Sequence, residues 1–291
     1  ALLVGIANYS LKPLNGPKYD VLAMQEVLVK NWGFKKNDID ILLNEKASKK
    51  NILDHLQGLF DKTTSGDEVF IYLSGHGTSA EDRDIKAPLP TTSGAFIPVD
   101  VNFNFKNRNE FVNSIIVGRN DFRPILKKLD QGNRRVFVAI DACYSGNTVR
   151  STFKERLPSR SIPMSLLSRA FADKEIDIVP IENNSAVMQD EYPYKNVYYL
   201  SASGENELAT DIPPEKLKTF PTIDGKPHGS FTDTLLRVLS GSVSADRNRD
   251  GKLSYAELKH SVRSEMRSRG YGHTPQALPS LAEDEQQLAF R

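Results

Sequence analysis

An α/β fold, with a mostly parallel central sheet of about six strands and helices on both faces, is what this sequence predicts, and two observations carry the expectation. Short apolar runs recur along the chain and are continuous rather than alternating: Val69-Phe70-Ile71-Tyr72-Leu73, Val136-Phe137-Val138-Ala139-Ile140 and Val197-Tyr198-Tyr199-Leu200-Ser201. Runs of this kind mark strands buried on both faces. Amphipathic segments of helical spacing lie between them, and strand–helix alternation produces parallel sheets covered on both sides. The composition agrees: of 291 residues, 39% are hydrophobic and 26% charged, ordinary for a globular protein.

Taken in order, Leu2 to Ala7 predicts a first strand. Asp20 to Asn31 predicts a helix, with Val21, Met24, Leu28 and Trp32 at helical spacing and Gly33 as its stop. Ile39 to Leu43 predicts a second strand. Ser48 is placed to cap a helix carrying Ile52, Leu53, Leu56, Leu59 and Phe60 on one side. The Val69 run is the third strand, and Ala95 to Asp100 a short extended piece. A helix is expected over Asp121 to Leu129, before the Val136 run. From Asn147 to about Lys195 the periodicity fails, and a basic, solvated loop is expected with one short helix around Met164 to Ala172. The Val197 run restores order. Helices from Ser230 to Leu239 and from Tyr255 to Arg267 follow, and a closing strand around Gln287 to Phe290. Neither an internal repeat nor a low-complexity segment is evident, so residues 1–291 read as one domain.

Bulk properties exclude several functions. A formal net charge of +1 gives no reason to expect a nucleic-acid partner. No apolar stretch approaches the roughly 18 residues of a membrane span, so no membrane partner is expected. Cys143 is the only cysteine, which excludes an internal disulfide and leaves the redox compartment open. Ala1 lies inside an apolar run without an initiating Met, as in a fragment or a processed form, and a removed targeting peptide would leave no trace. Cytoplasmic localisation is the expectation.

The chemistry is carried by two strand ends. The Val136 run leads into Asp141-Ala142-Cys143-Tyr144-Ser145-Gly146, and the Val69 run into Ser74-Gly75-His76-Gly77. Parallel strands deliver their carboxyl ends to one edge, where ligand sites of open α/β sheets form. A thiol and an imidazole brought together there make a nucleophile–base pair, with His76 taking the proton of Cys143. The amides of Gly77 and Cys143 are candidate donors to the developing oxyanion. A lone cysteine is more often a small core residue; the sheet-edge location, Gly146 and the matched His-Gly favour catalysis instead. Of the other four histidines, His55 lies in a helix and His260 and His273 lie in or beyond the last one. His228 precedes a helix. Only His76 ends a strand.

These two motifs resemble those of the caspase-like cysteine peptidases, most closely the metacaspases and their bacterial relatives. Leu14-Asn15-Gly16 followed by Asp20 and Met24 is similar to the family's first loop and helix. Leu200-Ser201-Ala202-Ser203-Gly204 is similar to a strand after the catalytic one, and Gly229-Ser230-Phe231-Thr232 to a late helix. The resemblance implies the caspase–haemoglobinase fold and a Cys–His dyad cutting peptide bonds after Arg or Lys. It implies a basic-residue pocket at Asp20, Ser74 and Asp141. The chain departs from the family with Tyr144 where His is usual and Pro17 where Cys is usual. Electrostatics agree with the pocket: carboxylates attract a guanidinium and repel an acidic side chain. For Asp20 a helix N-cap is an equal alternative. Arg150, Lys154, Arg156 and Arg160 read as a solvated loop, or, in an Arg-specific peptidase, as a segment that cuts itself.

A second motif lies near the C-terminus. Asp246-Arg247-Asn248-Arg249-Asp250-Gly251-Lys252-Leu253-Ser254-Tyr255-Ala256-Glu257 matches the twelve-position EF-hand calcium loop. Ligands are expected from Asp246, Asn248, Asp250, the Lys252 carbonyl, Ser254 and Glu257, with Gly251 at the sharp turn and helical segments on both sides. The plain alternative is an Asx/Gly-rich turn before a helix. The combined expectation is a calcium-binding cysteine endopeptidase acting on protein or peptide substrates with Arg or Lys before the cut. The rivals are a catalytically inactive interaction module of the same fold and a calcium sensor.

Overall fold

The structure, a computed structural model, describes residues 1–79, 94–103, 108–143, 157–162, 192–204 and 207–279. Its centre is a six-stranded sheet. The strands are β1 (Leu2–Gly5), β2 (Asp40–Leu43), β3 (Glu68–Ser74), β7 (Arg135–Asp141), β8 (Val197–Ser201) and β11 (Gln276–Leu278), in the spatial order β11-β8-β7-β3-β1-β2. Every pairing among the first five is parallel, and β11 joins β8 antiparallel. Three short strands, β4 (Gly77–Ser79), β5 (Gly94–Phe96) and β6 (Ile116–Val117), form an antiparallel ladder beyond the end of β3. A two-residue pair, β9 (Asp211–Ile212) and β10 (His228–Gly229), stands apart.

Alternation along the buried strands distributes their side chains to two cores, as a period of two requires. Val69, Ile71, Val136 and Val138 face helices α2 (Lys49–Asp61) and α4 (Arg123–Gln131), between which the chain makes the short helix α3 (Arg108–Ser114). Phe70, Tyr72, Phe137 and Ala139 face the helices α1 (Pro17–Asn31), α5 (Ser230–Leu239) and α6 (Tyr255–Ser268). The expected layers are therefore present.

The element boundaries differ in ways that have physical reasons. Helix α1 begins at Pro17, three residues before the expected start, because a proline at the first helical position lacks only an N–H that the helix would leave unused. Asp20 is consequently inside the first turn, and the N-cap is Gly16 without a side-chain cap bond. Ser48 caps α2 as expected, accepting from the Asn51 amide at 3.2 Å. The helix expected from Asp121 starts instead as a π turn over Gly118–Phe122 that runs into α4. The short helix around Met164 to Ala172 and the strand around Gln287 to Phe290 lie outside the described residues. Among the described residues the sheet closes with β11. The Tyr255 hydroxyl ties that edge, donating to the carbonyls of Tyr199 at 2.6 Å and Leu278 at 3.1 Å.

Candidate active site

Register places the two motifs side by side. Ser74 of β3 is opposite Asp141 of β7, so His76 and Cys143 each follow two residues past a paired position at one edge of the sheet. The Gly75 amide extends the ladder to the Asp141 carbonyl at 3.2 Å. Gly77 is needed for the approach: a Cβ there would lie 2.2 Å from the Cys143 carbonyl oxygen.

The imidazole is held by main chain. His76 Nε2 lies 2.6 Å from the carbonyl oxygen of Lys12, and a carbonyl only accepts, so Nε2 carries the proton and Nδ1 is the bare nitrogen. Nδ1 is buried and has no hydrogen-bond partner among the described residues. Tyr9 packs its ring 4.6 Å from the His76 ring, and its hydroxyl accepts the His76 amide at 2.9 Å while donating to the Ile97 carbonyl. Burial pulls the His76 pKa down to about 4 and pushes the Cys143 thiol up to about 12. The thiol donates to the Ala209 carbonyl at 3.3 Å. In this covered arrangement both groups are neutral.

Residues 157–162 lie against them through the Arg160 main chain, and Arg160 is fully buried, correcting the expectation that it belongs to a solvated loop. Its guanidinium enters the predicted acidic pocket. Nη2 is 2.7 Å from Asp20 Oδ2 and 2.8 Å from Asp211 Oδ1. Nη1 is 2.7 Å from Ser74 Oγ and 3.2 Å from Asp141 Oδ2. The sequence-predicted trio is thus brought together around one cation. Burial alone would raise Asp20, but Arg160 and His228 outweigh it and hold that carboxyl below its ordinary range. Burial, aided by repulsion from Asp20 and opposed by Arg160, lifts Asp141 to about 6. The Arg150, Lys154 and Arg156 side chains lie outside the described residues, as does Tyr144.

The main chain around Arg160 lies as an added strand. The Arg160 amide donates to Ala209 O at 2.9 Å and the Asp211 amide to Pro158 O at 2.8 Å, with Ser159 bridging Thr210 antiparallel. The Arg160 carbonyl oxygen accepts from the amides of Gly77 at 3.2 Å and Cys143 at 3.4 Å. These are the two amides expected to serve an oxyanion. One carbonyl, that of Ala209, therefore takes both the thiol proton of Cys143 and the amide of Arg160.

Three residues of this site were not foreseen. Asp211 supplies a carboxylate from β9. His228 is fully buried behind the pocket, with Nδ1 2.8 Å from Asp20 Oδ1 and Nε2 2.9 Å from Asp224 Oδ1. Burial opposes its charge, but the two carboxylates prevail and raise its pKa. Lys12 reaches across the covering segment, with Nζ 2.7 Å from Ser159 Oγ and 3.0 Å from the Ser161 carbonyl oxygen. Its φ of +54° is one a side-chain-bearing residue seldom adopts.

The residues of the expected calcium loop are arranged as a turn closed on its own amides. Asp246 accepts from Asp250 N at 3.1 Å and Gly251 N at 2.8 Å, Asn248 Oδ1 from Asp250 N, and Asp250 Oδ1 from Lys252 N. Gly251 takes the left-handed φ of +80° expected at the sixth position. Glu257 turns one oxygen to the amides of Arg247 and Asn248 and the other to the amide and hydroxyl of Ser254, completing a capping box for α6. Helix α5 ends at Leu239, a short stretch before Asp246, and α6 starts at Tyr255, so the expected helical segments lie on both sides of the loop. Among these residues no group of three or more His, Cys, Asp or Glu side chains is gathered to hold an ion. The donor chemistry suits calcium, and Glu257 is committed elsewhere.

The fold and the paired strand ends define the class, a caspase-like cysteine peptidase architecture. Residues 1–151 match the family profile described as metacaspase, peptidase C14 domain, and the chain belongs to that family. Metacaspase-9 of Arabidopsis thaliana is 31% identical over 175 residues, covering 57% of this chain and 49% of that protein. Metacaspase-1 of Schizosaccharomyces pombe is 24% identical over 302 residues, covering 95% of this chain and 66% of that protein. Half or less of the plant relatives' length is thus spanned here. Among solved structures, protein GSU0716 from Geobacter sulfurreducens superposes with a TM-score of 0.61 at 19% identity, covering 95% of this chain and 90% of that one. That likeness is of fold alone.

Proposed function

We propose that this protein is a cysteine endopeptidase that hydrolyses peptide bonds after a basic residue, Arg or Lys, through Cys143 and His76. The observation that carries the reading is Arg160, seated with its guanidinium among Asp20, Ser74 and Asp141 and its carbonyl oxygen on the amides of Gly77 and Cys143. That is how a substrate residue preceding a scissile bond has to lie.

The chemistry follows from the atoms. His76 Nδ1 accepts the thiol proton as Sγ attacks the carbonyl carbon, and the carbonyl electron pair moves onto oxygen. The amides of Gly77 and Cys143 meet that charge, and the loss of one such donor typically costs about 3 kcal/mol of transition-state stabilisation. The imidazolium returns the proton to the departing amine, leaving an acyl-thioester. A water molecule, deprotonated by His76, then releases the acid and regenerates the thiol. The Lys12 carbonyl keeps the imidazole in the tautomer this sequence needs. The chain is its own first substrate, with Arg160–Ser161 as the bond, and other proteins follow once the segment is displaced.

Peptides built on Leu157–Ile162, differing only at the position of Arg160, test this reading. Cleavage with Arg or Lys, little with Asp or Ala, and none by Cys143→Ala is the expected result. Equal cleavage whatever the residue, or cleavage that survives Cys143→Ala, defeats it. No cleavage of any peptide by a freshly activated sample favours the inactive-module alternative.

Calcium binding is a separate proposal, supported by the loop's donors and by Gly251 at the turn. Asp246, Asn248, Asp250, the Lys252 carbonyl, Ser254 and Glu257 would hold the ion, with Glu257 released from its capping contacts. Glu257→Gln keeps an oxygen for the cap but removes the charge. Calorimetry should show calcium binding weakened at least tenfold, and unchanged affinity would remove the assignment.

A further inference from the structure

Resting on the pocket assignment above, we infer that Asp211 is a specificity-determining residue that makes this pocket select arginine over lysine. Asp211 is buried at the start of β9, and its carboxylate is held independently of any pocket occupant. Oδ2 accepts the Asn15 amide at 2.8 Å, and the Gly16 amide bonds the same carboxylate at 3.1 Å. These bonds aim Oδ1 at the guanidinium, 2.8 Å from Nη2. Its own amide meanwhile holds the Pro158 carbonyl, so one residue grips both the main chain and the side chain of the bound segment.

The acceptors divide between two nitrogens. Asp20 and Asp211 converge on Nη2, and Ser74 and the Asp141 carboxylate and carbonyl converge on Nη1. A planar, forked cation satisfies both sets at once, whereas a lysine ammonium is a single point and must forsake one of them. The forsaken set would contain buried carboxylate, a costly group to leave unpaired. Two glycines shape the slot around the flat cation. A Cβ on Gly16 would lie 2.4 Å from Nη2 and 2.5 Å from Asp211 Oδ1, and one on Gly229 would lie 2.7 Å from Cζ. His228 offsets part of the charge at Asp20 from behind, whereas among the described residues Asp211 pairs with no cation besides Arg160.

Matched peptides with Arg or Lys at the position of Arg160, given to wild type and Asp211→Asn, provide the test. The amide side chain keeps an oxygen for the Asn15 and Gly16 N–H groups and loses the charge and the acceptor that faces Nη2. A hydrogen bond to a charged group of this kind corresponds to about ten- to a hundredfold in rate or affinity. The wild-type ratio of kcat/KM for Arg over Lys should be large, and Asp211→Asn should lower it at least tenfold, mostly by slowing the Arg peptide. A ratio gives the same answer whatever fraction of a sample is active. An unchanged ratio, or an equal loss on both peptides, overturns the inference. Should neither protein cleave after Arg, the peptidase reading fails, and the pocket is still testable by binding. Arg160→Ala protein, with or without Asp211→Asn, is titrated with agmatine and with 1,5-diaminopentane. Preference for agmatine that Asp211→Asn abolishes supports the role, and equal affinity for the two amines in the Asp211 form refutes it.

Discussion

Arg160→Ala should uncover the thiol. In the closed arrangement Cys143 has no exposure to solvent and its pKa is pushed up to about 12 by burial, so alkylation has to proceed through states in which residues 157–162 have lifted. Arg160 opposes lifting through two carboxylates on Nη2 and a hydroxyl and carboxylate on Nη1. Removing one partner of a buried ion pair costs roughly 3–5 kcal/mol. Here the lower end applies, because the abandoned carboxylates become hydrated once the segment leaves. About 3 kcal/mol, at 1.36 kcal/mol per factor of ten, raises the open population more than a hundredfold. The experiment is best made in a His76→Ala background, where self-cleavage cannot confuse the result. Iodoacetamide labelling of Cys143 is followed by mass spectrometry, with far-UV circular dichroism to show that both proteins are folded. The Arg160→Ala protein should label at least thirtyfold faster. Equal rates in two folded proteins would mean that the Arg160 segment is not what shields the sulfur, and the derivation from the pocket contacts would be wrong.

Two further outcomes are expected. Lys12→Met should raise KM several-fold for peptides that extend past the cut, since Nζ bonds the Ser161 carbonyl on the far side of it, and leave short substrates that end at the basic residue and carry Ala in place of Ser159, the other partner of Nζ, nearly unaffected. Equal losses on both would assign Lys12 to the fold alone. His273 is buried neutral, with Nδ1–H donating to the Ala202 carbonyl and Nε2 facing the Ser230 hydroxyl, and burial pulls its pKa from 6.5 to about 4. Between those values the unfolded chain holds a proton that the folded one lacks, so stability rises with pH across that window. His273→Gln should remove on the order of 3 kcal/mol of that rise in urea denaturation, and parallel pH profiles for the two proteins would disprove the buried neutral state.

Much of the fold was legible because its strands are buried on both sides and therefore spelled as continuous runs. β3 and β7 each extend one residue beyond the Val69 and Val136 runs at both ends, and the helix Ser230–Leu239 has the expected bounds. The start of α1 is less legible although Pro17 is an ordinary start signal, because the apolar periodicity begins only at Val21. Asp20, Ser74, Asp141, His76 and Cys143 could be named since each sits beside a strand end or in a recognisable motif. Asp211 could not: it lies in a two-residue strand, and the amides that aim its carboxylate come from Asn15 and Gly16, nearly two hundred positions away. Preceding a helix sets His228 aside as the base, but no local criterion reveals its place behind the pocket, where acids meet it from α1 and from Asp224. In the sequence Arg160 is one more charge in a basic stretch that reads as solvated or as self-cut. What buries it is a set of acceptors from four other segments, and no window along the chain contains them.

Whether the seated segment is a substrate is settled most directly by its own covalent fate. Wild type and Cys143→Ala are incubated in parallel, with calcium supplied, and their masses and new termini are mapped. Wild type should split into two pieces, one ending at Arg160 and the other starting at Ser161, while Cys143→Ala stays whole. An uncut wild type, or the same break in both proteins, would contradict the assignment of Cys143 as the attacking group and of Arg160 as the residue it attacks.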